Sequence, residues 1–180
     1  MFAVLDCGLQ FRAISNVKSS QTEGQFRAGD PMNIPLFLQA FLLSIVAVLA
    51  TSFLHYESVH RLDLHARRPG SRRHYVMLTI ICGIIAIHLA DIFFYSLVYR
   101  FAIGTLGLGT ISSATISSPM EMFYFAAETY SSLGQGDLLP TGAIRIISSI
   151  SSLNGLLLLA WSGSFLYALA HRPLPSDDLI

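Results

Sequence analysis

Residues 118–137 read SPMEMFYFAAETYSSLGQGD, and this stretch decides the fold. Its first four residues predict the start of a helix: Ser118 is a favoured N-cap residue, Pro119 suits the first helical position, and Glu121 completes a capping box. The apolar and aromatic residues 122–130 continue that helix for about three turns. Gly134 and Gly136 then permit the backbone dihedrals of a tight return. The stretch therefore predicts a short capped helix followed by an irregular loop.

Long apolar segments flank this stretch. The chain has 180 residues, of which 53% are apolar and 12% charged, a composition typical of a membrane protein. Apolar runs cover about residues 35–55, 75–99 and 143–170, and each has the roughly 20 residues that a bilayer-spanning helix needs. A three-turn helix cannot span a bilayer, so the short helix is predicted to be re-entrant, with its irregular loop buried in protein or lining a water-filled path. We predict an all-α membrane protein with three transmembrane helices and one re-entrant helix.

The loops on either side of the second span differ in composition. The loop before it carries an arginine cluster, which by the positive-inside rule faces the cytoplasm and places the N-terminus outside and the C-terminus inside. The cluster indicates topology, not nucleic-acid binding, and the helix breakers Pro69 and Gly70 argue against a voltage sensor. After the span, the Gly/Ser/Thr-rich residues 103–118 predict an irregular loop with no core of its own. The clustered arginines are Arg61, Arg67, Arg68, Arg72 and Arg73.

The loop after the short helix resembles the filter of the potassium channel pore-loop family, T-V/I/L-G-Y/F-G-D, which follows a short pore helix between an outer and an inner spanning helix. The matching residues are Ser132, Leu133, Gly134, Gln135, Gly136 and Asp137.

The resemblance extends over about residues 75–172. Glu128 lies nine residues before the filter aspartate, as in many bacterial members, and Gly155 lies close to the family's hinge glycine. Pro140 and Arg145 match the positions after the filter and at the start of the inner helix. The implied division is a flexible N-terminal tail (1–33), an extra N-terminal transmembrane helix with a basic cytoplasmic loop (34–74), a pore domain (75–172) and a short C-terminal tail (173–180). Met32, just before the first span, is an alternative start.

The family implies how such a loop works. Four copies around one axis give rings of backbone carbonyls that replace the hydration shell of an ion, so a homotetramer in the lipid bilayer is expected. The implied function is passive conduction of monovalent cations, with potassium the expected ion, by a protein of the bacterial inner membrane without enzymatic activity. No cofactor is expected beyond K⁺ or Na⁺ in the filter.

One departure from the family pattern keeps alternatives open. Gln135 replaces the usual aromatic, which helps hold the filter at its working diameter, and Ser132 replaces threonine. A weakly selective sodium and potassium channel is therefore the main alternative, and a non-conducting accessory subunit is another. Outside transport, the histidines and Asp91 raise the possibility of a membrane metalloprotein or haem protein.

Further residues are candidates for support and gating. Glu128 and Asp137 form either a carboxyl–carboxylate pair sharing a proton behind the filter, which we favour, or two independently solvated carboxylates. His88 and Asp91 lie on one face of the second span, where they form either a proton- or metal-sensitive gate or, as we favour, an interhelical hydrogen bond. The remaining histidines near the basic loop are predicted to be interfacial: His55, His60, His65 and His74.

The inner helix carries a candidate hinge and gate. By the resemblance, Gly155 is the hinge, and Leu156 and Leu159 could form a hydrophobic constriction or a packing stripe. Its serines line a hydrated cavity, promote close helix packing, or do both on different faces.

Overall fold

The first transmembrane segment forms one long helix, α1 (Ile34–Ala66). The computed structural model describes residues 34–66, 73–112, 118–134 and 136–171. The sequence prediction placed an apolar run over about residues 35–55, and the helix continues for about three turns beyond residue 55. The apolar run does stop there, but residues 56–66 contain no glycine or proline. Glu57 and Arg61 also form an i,i+4 ion pair, with 3.0 Å between Arg61 Nε and Glu57 Oε1, so the polar extension remains helical.

Two further helices, α2 (Arg73–Gly104) and α4 (Ile144–Ala170), complete the predicted set of spans. Within the described residues, three helices are long and apolar enough to cross a membrane, which confirms that prediction. At most 22% of the residues in the most apolar window of each helix are buried in a single protomer. Such continuous apolar surface suits lipid or a neighbouring subunit, and the chain is an integral membrane protein.

The short helix α3 (Pro119–Ser131) packs against both α2 and α4. A pair of two-residue strands ties together the segments on its two sides: β1 (Ile111–Ser112) pairs antiparallel with β2 (Leu139–Pro140). The predicted irregular loop before α3 is therefore partly ordered. Leu108 and Ile111 of this loop are buried in the main core of the protein. The connection gains order because the segment after the filter loop supplies its hydrogen-bond partners, including a 2.8 Å bond from Thr141 N–H to Thr110 O.

Small residues allow α1 to approach the other helices closely. Its buried positions recur every three or four residues and form one stripe along the helix. This stripe faces α2 and α4, so α1 contributes to the same packed unit as the other three helices. The stripe consists of Ala40, Ser44, Ala47, Thr51, His55 and Val59.

An aromatic cluster fills the space between α2, α3 and α4. The rings of Tyr99 and Phe125 meet edge to face with centroids 4.9 Å apart, and Tyr95 contacts both Tyr99 and Tyr130. Aromatic pairs of this geometry add to the free energy of burial. The cluster fixes α3 against the two spanning helices and so sets the position of the loop that follows it.

Several sequence predictions lie outside the described residues. These are the flexible tail (1–33) with its alternative start Met32, the arginines Arg67, Arg68 and Arg72, the filter residue Gln135, and residues 172–180 at the C-terminus.

Candidate functional site

The predicted N-cap of α3 is present. Ser118 has an extended backbone, and its Oγ accepts a hydrogen bond of 3.2 Å from the backbone N–H of Met120, with Pro119 at the first helical position. The reciprocal half of the predicted capping box is different. Glu121 Oε2 is buried without a hydrogen-bond partner among the described residues, so the serine side chain makes the cap that is observed.

The other end of α3 closes with a left-handed residue. Ser132 has φ 57°, its N–H donates to Thr129 O at 3.1 Å, and the N–H of Leu133 donates to Glu128 O at 3.1 Å. These two bonds are those of a Schellman motif, in which the left-handed position is usually glycine. Serine adopts it at a cost of about 1–2 kcal/mol. Backbone strain of this kind concentrates at functional sites, and here it lies at the first residue of the predicted filter.

Positive φ recurs at two glycines after Ser132. Gly134 has φ 51° and Gly136 has φ 85°, whereas Leu133 is not among the residues with positive φ. Alternation between right- and left-handed residues turns successive peptide groups toward the same side of the chain. The backbone freedom predicted for the two glycines is therefore used in the structure.

The predicted filter residues lie at the surface of the protomer. Leu133 is 74% exposed, and Ser132, Gly134, Gly136 and Asp137 are exposed as well. Irregular backbone at membrane depth is tolerated only where it is buried in protein or lines a water-filled path. The exposed loop residues are therefore expected to contact other protein or a water-filled path.

A tyrosine connects the two predicted carboxylates. Glu128 is buried and Asp137 exposed, and both carboxyl groups act on the Tyr124 hydroxyl through their charge and through hydrogen bonding. Desolvation, followed by the negative charges of Asp137 and Glu128 and these hydrogen bonds, raises the pKa of Tyr124. The sharing of a proton between the carboxylates stays a prediction. Sequence reasoning missed Tyr124, although its position one helical turn before Glu128 was a usable signal.

The inner helix touches α3 at a point that only glycine can occupy. A Cβ at Gly155 would collide with the carbonyl oxygen of Tyr130 and would lie 2.9 Å from its carbonyl carbon. One turn earlier, Ser152 Oγ donates a 2.6 Å hydrogen bond to Thr129 O. The predicted hinge position thus has a second role, in close helix packing, while Leu156 and Leu159 are exposed on the protomer.

The predicted packing role of the inner-helix polar residues is observed at two buried positions. Asn154 Nδ2 donates to Thr51 Oγ1 at 2.9 Å and to Tyr95 OH at 3.0 Å. Ser151 Oγ lies 2.6 Å from Tyr99 OH. These side chains bridge helices within the protomer, so they do not line a hydrated cavity.

The favoured interhelical role of His88 and Asp91 is observed, and it includes an unexpected partner. His55 Nδ1 lies 2.8 Å from Asp91 Oδ2, and His88 Nδ1 lies 2.9 Å from Tyr130 OH. His55 is completely buried, so its prediction as an interfacial histidine is wrong. The error follows from ending the first span too early. The spacing of His55 on the small-residue stripe of α1 was the signal for burial.

Coordinating atoms of three side chains, His55, His88 and Asp91, lie within 4.8 Å of one another. They do not converge on one point: the two Nε2 atoms face Ser162 Oγ at 3.0 and 3.1 Å, whereas Asp91 bonds the opposite edge of the His55 ring. The arrangement is a closed set of hydrogen bonds and lacks the common focus of a metal-ligand set.

A capped re-entrant helix between two spanning helices, followed by a strained and exposed glycine loop, defines the pore module of a membrane channel. A family model described as an ion channel matches residues 75–169, which is more than half of the chain. The chain belongs to this family, the potassium channel pore-loop family that its filter sequence resembles, and it is an ion channel. No curated protein and no solved structure matches the chain.

Proposed function

We propose that the protein conducts monovalent cations, potassium above all, passively through a homotetrameric pore whose filter is the backbone of Ser132, Leu133, Gly134, Gln135 and Gly136, with Asp137 at the outer mouth. The proposal includes no enzymatic activity. The observation that carries it is the alternation of positive φ at Ser132, Gly134 and Gly136 on an exposed loop. Such a backbone presents carbonyl oxygens to one side, as ion coordination requires.

The tetramer follows from the same loop. One protomer has one filter loop, which cannot enclose an ion, and four copies around an axis would surround it with carbonyls. The exposed Leu133, Leu156 and Leu159 would then face neighbouring subunits, the pore or lipid. In this arrangement the Tyr124 hydroxyl braces Glu128 and Asp137 beside the filter.

The proposed orientation has the N-terminus outside and the C-terminus in the cytoplasm of a bacterial inner membrane. Its basis is the arginine cluster between α1 and α2, which the positive-inside rule assigns to the cytoplasmic side. Cysteine accessibility at Ser118, which is exposed at the start of α3, tests it. Labelling of Ser118→Cys by an impermeant reagent from the external side is expected, in a background where Cys7 and Cys82 are serine.

A weakly selective cation channel is the second candidate, because Gln135 and Ser132 replace the aromatic residue and the threonine of the family pattern. The deciding experiment is the reversal potential of purified protein in planar bilayers under a potassium gradient, with and without sodium on one side. The proteins compared are the unchanged chain, Gln135→Tyr, and Gly163→Ala as a matched control, since a Cβ at Gly163 meets nothing within 4 Å.

Potassium conduction predicts reversal near the potassium equilibrium potential for the unchanged chain and for Gly163→Ala. Equal permeability to both ions, sharpened toward potassium by Gln135→Tyr, would establish the weakly selective channel. Absence of current from all three proteins, with intact tetramers by size-exclusion chromatography and light scattering, would point to an accessory subunit. A Soret band or stoichiometric metal in the purified protein would indicate the haem or metal alternative.

A further inference from the structure

Five polar side chains behind the pore helix form a closed ring of hydrogen-bonding contacts. Starting at Asp91 Oδ2, the ring runs to His55 Nδ1 at 2.8 Å, from His55 Nε2 to Ser162 Oγ at 3.0 Å, and on to His88 Nε2 at 3.1 Å. It continues from His88 Nδ1 to Tyr130 OH at 2.9 Å and returns from Tyr130 OH to Asp91 Oδ2 at 3.2 Å. We call these residues the polar ring.

The polar ring has one contact more than its neutral groups have protons. Each of the five contacts needs one proton between its two heavy atoms. The two neutral imidazoles, the serine hydroxyl and the tyrosine hydroxyl each supply one, and an ionised aspartate supplies none. One contact is therefore left without a hydrogen when both histidines are neutral.

Following the donors around the ring locates the missing proton. Tyr130 donates to Asp91, so Tyr130 must accept from His88 Nδ1–H. If His88 is neutral, its Nε2 accepts from Ser162, and Ser162 in turn accepts from His55 Nε2–H. The fifth proton therefore lies between His55 Nδ1 and Asp91 Oδ2. Because an imidazole is ordinarily a stronger base than a carboxylate, we assign it to His55, which is then an imidazolium. If the Ser162 hydroxyl proton passes to His88 Nε2 while the His55 Nε2 proton passes to Ser162 Oγ, the charge moves to His88 and all five contacts stay satisfied.

We propose that the polar ring is a binding site for a single proton, shared by His55 and His88 and balanced by the Asp91 carboxylate. With the proton bound, the ring has no net charge and every contact has its hydrogen. Without it, an uncompensated carboxylate stays buried beside a contact between two acceptors, and both conditions are costly in a membrane protein. Asp91 is 4% exposed and His55 is fully buried, so solvent contributes little to stabilising either side chain.

The titratable groups around the ring are few. His55 comes from α1, His88 and Asp91 come from α2, and Tyr130 comes from α3. The neighbouring Tyr95 of α2 also faces Asp91, and its hydroxyl accepts a hydrogen bond from Asn154. The inner helix α4 contributes Ser162, which does not titrate. Of the side-chain types in this set, only imidazole has an ordinary pKa close to neutrality.

The proton would hold all four helices together close to the filter. Each helix supplies at least one member of the ring, and Tyr130 lies two residues before Ser132. The carbonyl of the same Tyr130 faces Gly155, so the ring and the contact between α3 and α4 share one residue. Loss of the proton would therefore change the support of the pore helix and of the inner helix together.

The test uses the purified full-length protein with ¹⁵N-labelled histidine, reconstituted in lipid, because imidazole nitrogen shifts distinguish the charged from the neutral ring. A free imidazole with a pKa of about 6.5 is about 3% protonated at pH 8. We expect one imidazolium per chain to persist at pH 8 among the six histidines. The exposed His60, which stacks on Tyr56, provides the control. His60→Gln should leave the imidazolium signal unchanged.

Asp91→Asn is the diagnostic variant, because it removes the balancing charge and keeps the shape of the side chain. The imidazolium signal should then disappear at pH 8. All histidines neutral at pH 8 in the unchanged protein would overturn the proposal without any variant, so a folding defect in Asp91→Asn cannot obscure the result. A stoichiometric shift of the His55 and His88 signals on addition of Zn²⁺ alone, at micromolar concentration, would also overturn it by establishing a metal site.

Discussion

The polar ring and the filter loop meet at Tyr130, which lies two residues before Ser132, and they differ in how their hydrogen-bonding groups are satisfied. In the ring, every polar atom of His55 and His88 that can form a hydrogen bond has a partner within one protomer. In the filter loop, Ser132, Gly134 and Gly136 are exposed and their backbone is left-handed. The ring belongs to the fold of the protomer, whereas the loop residues are exposed on its surface.

This difference separates residues that stabilise the folded protomer from residues that are expected to serve conduction. Buried polar groups that lose a partner destabilise the folded state, because the remaining partner stays desolvated. Exposed backbone that awaits an ion or another subunit has little effect on the protomer. Changes behind α3 should therefore affect folding first, and changes in the loop should affect conduction first.

The largest effect is expected where the two regions meet, at Gly155. Gly155→Ala puts a Cβ against the backbone carbonyl of Tyr130, which cannot move aside as a flexible side chain can. We expect loss of about 1–3 kcal/mol or more of folding free energy, measured as a lower midpoint of thermal unfolding in detergent. Gly163→Ala on the same helix is the matched control, since its Cβ meets nothing within 4 Å. Equal midpoints for both variants would show that α3 and α4 are not in the described contact.

The second prediction concerns Gly136→Ala, which should alter ion conduction and leave the stability of the fold nearly unchanged. Gly136→Ala places a side chain at φ 85° with no atom within 4 Å, so the strain is confined to the backbone. The cost is about 1–2 kcal/mol, which favours a different loop conformation. We expect an unfolding midpoint close to that of the unchanged protein and loss of selective current in planar bilayers. Unchanged current and selectivity would contradict the assignment of Gly136 to the filter.

The sequence predicted the elements of the fold better than their mutual contacts. The spans follow from apolar length, and the start of α3 follows from Ser118 and Pro119, because both signals are local. The extension of α1 beyond His55 was missed because hydropathy marks the membrane and does not mark the end of a helix. Polar residues such as Glu57 and Arg61 continue a helix until a breaker occurs.

The candidate site was also predictable only where its signal is local in the sequence. The filter residues are contiguous, and the resemblance to a known filter identifies them together. The polar ring joins His55, Asp91 and Ser162 across 107 positions of the chain, and their meeting depends on how each helix is rotated about its axis. A single sequence does not specify that rotation. The pairing of His88 with Asp91 was visible only because both lie on one turn of α2.

Another effect on stability is expected from the amide that bridges α1, α2 and α4. Asn154→Leu keeps a similar volume and removes the bonds to Thr51 and Tyr95, leaving Tyr95 OH buried without that donor. The expected loss is about 1–3 kcal/mol in the free energy of unfolding. Ser149→Ala is the control, because Ser149 is exposed and donates only to Arg145 O of its own helix. Equal stabilities would remove the amide from the set of groups that hold the protomer together.

The smallest effect concerns Tyr124, which braces the filter side of α3. Its pKa is raised by desolvation and by the carboxylates of Asp137 and Glu128, so the folded protein holds the phenolic proton more tightly than the unfolded chain does. The resulting stabilisation is fully present below the ordinary pKa of about 10 and is lost as pH rises through the higher folded-state value. Tyr124→Phe removes this contribution, so the difference in unfolding midpoint between the two proteins should be constant from pH 7 to 9 and shrink above about pH 10. A difference that stays constant through that range would mean that the hydroxyl does not interact with the two carboxylates in the assembled channel.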